Sequence, residues 1–147
     1  MKWKVVVIGK PALVYARAGI ADYVSRLKHY APVELLHLKD AGSVEGNARR
    51  LLAASEGCLR LVLDERGKSL TTGQLVDWVQ ERTMDGVVKQ VAVLIGGADG
   101  HSDETRAQAD MVLNLSKLTL QHELALLVFL EQLYRVHTVM RGEPYHR

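Results

Sequence analysis

Val91-Ala-Val-Leu-Ile-Gly-Gly-Ala-Asp-Gly100 reads as a buried strand that runs into a glycine-rich turn, and Ser102-Asp-Glu104 just beyond it opens a helix. Val91–Ile95 is a continuous aliphatic run with no polar alternation, as in a strand covered on both faces. Ser102 can accept a hydrogen bond from the unpaired N–H groups of a first helical turn, and Asp103 and Glu104 place carboxylates at the positive end of the helix dipole. Strand, turn and capped helix in that order are half of a β-α-β unit.

Outward from this stretch the pattern repeats. Aliphatic runs stand at Trp3–Ile8, Val33–Leu38, Leu59–Leu63 and Met111–Leu115, with helical patterns between them. Ala12–His29 carries Leu13, Ala16, Ile20, Val24 and Leu27 on one face, and a shorter polar segment spans 44–54. A third helix, capped by Thr71 or Thr72, carries Leu75, Val76 and Val79 to about Arg82. The last runs from His122 to about Met140 and stops at Gly142, with Pro144 beyond. Strands alternating with helices predict an α/β domain on a mainly parallel sheet. No linker, repeat or low-complexity tract breaks the 147 residues, so a single domain over 1–147 is expected.

The hydrophobic fraction of 48% is enough for a true core, and no segment approaches the ~20 apolar residues of a membrane helix. The N-terminus, Met1–Gly9, is too short for a signal peptide and lacks a small-residue cleavage site, so a soluble, cytoplasmic chain is expected. Cys58 stands alone, which excludes an intrachain disulfide, and its apolar run suits a core residue. A net charge of +2 is small for a dedicated nucleic-acid binder, although Arg135, Arg141 and Arg147 gather at the end with His137 and His146. Leu124–Leu130 is apolar on every face of its helix, which predicts a second subunit as cover.

Chemistry-bearing residues sit at the ends of these elements. Gly96-Gly97-Ala-Asp-Gly100 lets backbone N–H groups approach a ligand, but it also fits a plain turn. It is neither the G-x-G-x-x-G fingerprint nor a phosphate loop. Leu63-Asp-Glu-Arg-Gly-Lys68 reads as a charged loop after a strand, on the same edge as the glycine turn if the sheet is parallel. His122-Glu123 fails as a zinc-protease motif because Leu126 stands where the second His is required, and no cluster has metal-ligand spacing. No G-x-S-x-G elbow is present. Glu131 and Arg135, four apart on the last helix, form an expected ion pair.

Five segments, Leu63-Asp-Glu-Arg-Gly-Lys68, Leu94-Ile-Gly-Gly97 with Gly100, Leu115-Ser-Lys-Leu-Thr-Leu120 with His122, Glu131-Gln-Leu-Tyr-Arg135 and Gly142-Glu-Pro-Tyr-His-Arg147, stand in that order. Together they resemble the SPOUT-class methyltransferases and, more narrowly, the RlmH family, which methylates N3 of a pseudouridine in large-subunit ribosomal RNA. The resemblance runs nearly end to end. It implies a five- or six-stranded, mainly parallel sheet flanked by helices, a C-terminal trefoil knot, and a homodimer packed through the C-terminal helix. It implies S-adenosylmethionine held by Leu63, Gly96, Gly97, Leu115, Ser116, Lys117, Leu118, Thr119 and Leu120. Arg135, Tyr145 and His146 are the implied catalytic groups, with His122, Arg141 and Arg147 as RNA contacts. The implied partner is ribosomal RNA in the ribosome or large subunit, with no membrane and no metal. Three residues depart from the family's habit: Asn114 where a second Ser is usual, Gln121 where Pro or Thr is usual, and Leu126 in place of Arg. The last removes a cation from a helix expected to flank the site. The alternatives are a SPOUT methyltransferase with another RNA target and a catalytically silent RNA- or ribosome-binding protein of the same fold.

Overall fold

The computed structural model describes residues 1–147. Strands β1 (Lys2–Ile8), β2 (Val33–Leu38), β3 (Leu59–Ser69), β4 (Gln90–Ile95) and β5 (Met111–Asn114) alternate with helices α1 (Val14–Leu27), α2 (Val44–Ala54), α3 (Thr72–Asp85), α4 (Asp103–Ala107) and α5 (His122–Met140). The strands form one sheet in the order β2-β1-β4-β3-β5, every pair parallel. Five strands, not six, make the sheet.

The continuous aliphatic runs are explained by the pleat, which sends successive residues to opposite faces. Trp3, Val5 and Val7 of β1 join Leu61, Leu63, Val91, Val93 and Ile95 in a 21-residue core with residues of α1, α3 and α5. Val6 and Ile8 face the other way and meet Val62, Ala92, Leu94 and Leu51 of α2 in a core of six. Both faces are covered, so no strand needs polar alternation. Cys58 packs half-buried at the edge of the smaller core.

Local chemistry sets the helix ends. Thr71 is the N-cap of α3 and closes a capping box: its hydroxyl accepts from the Gln74 N–H at 3.1 Å, and the Gln74 amide oxygen accepts from the Thr71 N–H at 2.9 Å. Ser102 caps α4 as its sequence position suggested, although that helix has only five residues. The start of α1 has no cap from its own N-cap residue, Leu13. The carboxylate of Glu123 on α5 accepts instead from the N–H groups of Ala12 and Leu13. Burial works to raise the Glu123 pKa, but these backbone donors and the Gln121 amide outweigh it and hold the carboxyl below its ordinary value.

The sequence pattern ends β3 at Leu63, whereas the strand continues to Ser69. The cause is a break in register. Leu113 of β5 is paired with Leu63 and again with Lys68, so residues 64–67 bulge between two pairings to the same neighbour. Gly67 then lies directly against the β5 backbone. A Cβ there would lie 2.5 Å from the Val112 carbonyl carbon and oxygen, and 2.7 Å from the Leu113 nitrogen.

The last helix is covered within the chain more fully than its sequence suggests. α1 and α3 both pack against it, and Leu126, Phe129 and Leu130 are buried against the sheet. Leu127 lies against Gly19 of α1. Leu124, Leu127 and Val128 remain half-buried. Leu126 is 0% exposed, so this position belongs to the core and a cation is not missing from a surface beside the site.

Two tests follow from the packing. Gly67→Ala forces a methyl into backbone that has no rotamer to move, and urea unfolding should show a loss of about 3 kcal/mol; an effect below ~0.5 kcal/mol would mean the contact is loose. His137 sits edge-on to Trp3 at 6.2 Å and stacks on Tyr30 at 6.0 Å, and burial, then the charges of Arg141 and the N-terminus, push its pKa down to about 4. An unfolded chain takes up that proton near pH 6.5, before the folded one does. Stability is therefore full above about pH 6.5 and declines as the pH falls toward about 4. His137→Gln should flatten the urea midpoint measured across that window.

Candidate active site

The carboxyl ends of β3, β4 and β5 converge on a cleft of about 480 Å³, a size that suits a nucleotide-sized ligand. Its walls are three chain segments: Leu63 to Arg66 at the bulge of β3, Ile95 to His101 from the end of β4 onward, and Leu113 to His122 from the end of β5 onward, with Ala125 of α5 at one side. The charged loop and the glycine turn thus share one edge, as a parallel sheet requires. The turn closes tightly, with the Gly100 N–H donating to the Gly97 carbonyl at 3.0 Å. A Cβ on Gly96 would stand 2.9 Å from the Gly100 oxygen, so the turn needs glycine there.

The segment after β5 is shaped by its own side chains. Asn114 Oδ1 accepts from the Ser116 N–H at 3.1 Å, and Ser116 Oγ accepts from the Leu118 N–H at 3.0 Å. Gln121 then caps α5 by accepting from the N–H groups of Glu123 and Leu124. Asn114 and Gln121, two of the departures from family habit, are thereby engaged in turning the loop. The N–H groups of Lys117, Thr119 and Leu120 form no hydrogen bond within the chain. Free backbone donors beside leucine side chains match an adenine, which offers an apolar face and a polar edge.

All the residues expected to hold cofactor line the cleft except Lys117, whose side chain points to solvent. His122 also lines it. Arg135, Tyr145 and His146 meet one another elsewhere. Glu131 Oε1 accepts from Arg135 Nε at 3.1 Å and from the Tyr145 hydroxyl at 3.0 Å, which places the expected ion pair inside a larger cluster. Arg135 Nη1 lies 3.1 Å from His146 Nδ1, and its guanidinium covers the Tyr145 ring at 4.8 Å. Burial, together with hydrogen bonds to Tyr23 and Glu131, pushes the Tyr145 pKa strongly up, so its phenol stays protonated. None of these three residues touches the cleft. Arg135 lies ten residues beyond Ala125 on one helix, about 15 Å along its axis. Arg141 stacks on Tyr30 at 4.6 Å, and Arg147 is exposed.

Three cleft residues were given no individual role from the sequence. Asp64 and Arg106 form an ion pair of 2.9 Å, with side chains only 8% and 16% exposed. Arg106 also donates to the His101 carbonyl at 3.0 Å, while Asp64 accepts from the Arg66 N–H at 2.8 Å. The pair ties the bulge of β3 to the turn after β4. Asp64 was visible only as part of a charged loop, and nothing in the spacing of Arg106, 42 residues on, marks it as its partner. His101, the third, is buried beneath the turn. Arg106→Ala should lower stability by about 3 kcal/mol by leaving a buried carboxylate unpaired. Adding Asp64→Asn should recover part of that loss, a coupling that a double-mutant cycle in urea will read.

The chain is similar to known proteins over its whole length. Residues 1–146 match the family model described as "Predicted SPOUT methyltransferase". The protein named "Ribosomal RNA large subunit methyltransferase H" from Thermus thermophilus is 46% identical over 147 residues, covering 100% of this chain and 99% of the relative. The protein of the same name from Deinococcus radiodurans is 37% identical over 147 residues, with 100% and 99% covered. Among solved structures, a "Probable Methyltransferase from Bordetella pertussis Tohama I" superposes with a TM-score of 0.60 at 10% identity, covering 92% of this chain and 95% of that one. A Legionella pneumophila protein solved in complex with the bound cofactor SAM has a TM-score of 0.50 at 14% identity, covering 95% and 66%. At these identities the superpositions speak to the fold, and the full-length sequence match speaks to the family: this chain belongs to the SPOUT methyltransferases.

Proposed function

We propose that this protein is an S-adenosylmethionine-dependent methyltransferase that modifies N3 of a pseudouridine in large-subunit ribosomal RNA, acting on the ribosome or its large subunit. The observation that carries this is a cleft at three strand ends, lined by the glycine turn and the loop after β5, in a chain 46% identical throughout to a protein named for that class of reaction. A ribosomal target also accords with a cytoplasmic location. The Leu126 departure gave a different RNA target its support, and a fully buried side chain removes that support.

The residues fit the cofactor. Leu63, Gly96, Gly97 and the 115–120 loop would hold S-adenosylmethionine, with the free N–H groups of Lys117, Thr119 and Leu120 available to its polar edges. Bound there, the cofactor supplies a methyl group already activated by its sulfonium. The protein must position the acceptor nitrogen and stabilise charge as the imide proton is lost to solvent. Arg135 and His146 suit the second task as donors. With Arg135 donating to His146 Nδ1, the imidazole proton stays on Nε2, so both groups can face the pyrimidine oxygens that take up developing negative charge. Tyr145 is a donor as well, and Glu131 holds Arg135 and Tyr145 in place. Arg147, Arg141 and His122 would contact RNA.

These donors lie too far from the cleft of their own chain to serve it, which is the argument for a homodimer through α5. In it, the tail of one chain completes the cleft of the other. Half-buried Leu124, Leu127 and Val128, with Val14 73% and Tyr15 58% exposed on α1, supply apolar surface for such a contact. The Gly67 contact and the double pairing of Leu113 support a C-terminal trefoil knot, with the chain after β5 passing through the 64–69 segment.

The decisive experiment is methyl transfer to ribosomes isolated from a strain lacking the activity, with mass spectrometry locating the methyl group. We expect it on pseudouridine; product on another base would change the assignment, and none with ribosomes or subunits would refute it. Arg135→Ala and His146→Ala should each reduce transfer at least about tenfold, with cofactor affinity unchanged within about twofold. Gly96→Val should abolish cofactor binding. Co-refolding Gly96→Val with Arg135→Ala should restore about a quarter of wild-type activity if sites are shared between two chains, and nothing if each chain completes its own.

A further inference from the structure

His101 is the one imidazole enclosed by the cleft, and it makes no well-formed hydrogen bond, although the Leu63 and Leu94 carbonyls stand near its ring. It is 9% exposed, lines the cleft, and neither ring nitrogen finds a hydrogen bond while both are shut off from water. Buried polar atoms are ordinarily satisfied, so an imidazole left this way calls for a reason. Its surroundings are known from every side. From β3 come the Leu63 carbonyl and Asp64, from β4 the Leu94 carbonyl, and from α4 Arg106. Asp64 would favour a proton on the ring, but it is already committed to Arg106 and to the Arg66 N–H. The other charged or titratable groups of the cleft, Glu65, Arg66, Asp99 and His122, line its more open parts.

We propose that His101 is a charge-selective positioning residue of the cofactor cleft: as a neutral ring it admits the cationic sulfonium of S-adenosylmethionine, and as an imidazolium it repels it. The inference rests on the cleft being the cofactor site. Burial shifts the ring toward its neutral form, with Arg106 adding to that effect against Asp64 and the two carbonyls. A second positive charge beside a buried imidazolium is costly, and the cost falls on a ligand in proportion to its own charge. S-adenosylmethionine and S-adenosylhomocysteine share every polar group and differ by the methyl and the positive charge on sulfur. Protonation of His101 therefore weakens the first selectively, and makes the ratio of cofactor to product affinity fall in acid.

Isothermal titration of the full chain with each compound, at about pH 7.5 and about pH 5.5, tests this, with circular dichroism checking the fold at both. In the wild type, S-adenosylmethionine affinity should be lower at the lower pH while S-adenosylhomocysteine affinity holds. In His101→Gln and His101→Leu the S-adenosylmethionine profile should become flat, and in His122→Gln the drop should persist. A merely structural role for His101 would change both affinities together at both pH values. A parallel fall for the two compounds in the wild type overturns the inference even if neither His101 variant folds. So does a drop that survives in a folded His101 variant and disappears in His122→Gln. No binding of S-adenosylmethionine at about pH 7.5 overturns the cofactor-site reading itself, and this inference with it.

Discussion

The close backbone contact of β3 with β5 at Gly67 is the constraint on which the cleft end of this molecule depends. Backbone meets backbone there with no room for a side chain, and Leu113 is paired on both sides of the bulge. That contact fixes where the bulge of β3 stands relative to the segment after β5. The Asp64–Arg106 pair then ties the same bulge to the turn after β4. Three segments far apart in sequence are thereby joined into one rim around the cleft. A contact this close also rests on the sheet beneath it, since β3 and β4 hold their positions through cores on both faces.

α5 serves three ends along its length. Its first turn walls the cleft and, through Glu123, supplies the capping carboxylate that α1 lacks. Its middle, with Leu126, Phe129 and Leu130, is core. Its second half carries Glu131 and Arg135, joined by Tyr145 from the tail. A helix is rigid over this distance, so the two polar clusters at its ends stay separate in one chain. Tyr23 of α1 bonds the Tyr145 hydroxyl at 3.1 Å, and the Tyr134 ring meets the Tyr145 ring edge-on at 4.7 Å, so the tail is anchored where it stands.

Much of this could be read in the linear sequence, and the reasons are local. Continuous aliphatic runs marked the strands because both faces are buried. Thr71 with Gln74, and Ser102 with its following acids, marked helix starts because a cap involves residues within one turn. The glycine turn was legible as a turn at a strand end that suits a ligand or a plain reversal equally, and the 115–120 loop drew notice only through its likeness to a family motif. What escaped was long-range. The extra length of β3 depends on a neighbour more than forty residues away. Arg106 finds Asp64 across 42 residues, and Glu123 finds Ala12 across 111. No periodicity encodes such pairs.

Leu126 shows the limit most clearly. In the sequence it was a missing cation beside a site; in the fold it is a wholly buried side chain. Amphipathic pattern says that a helix is apolar all round, but which neighbours cover each side is a property of how helices pack. The sequence by itself determined the order of strands and helices, the parallel sheet, and which segments carry chemistry, because hydrophobic period, caps and turns are short-range. The tertiary structure alone decided that the Gly67 bulge brackets β5, that His101 is sealed beneath the glycine turn, and that the Arg135 cluster stands away from its own cleft. Those facts arise from surfaces meeting in space, which a one-dimensional pattern does not carry.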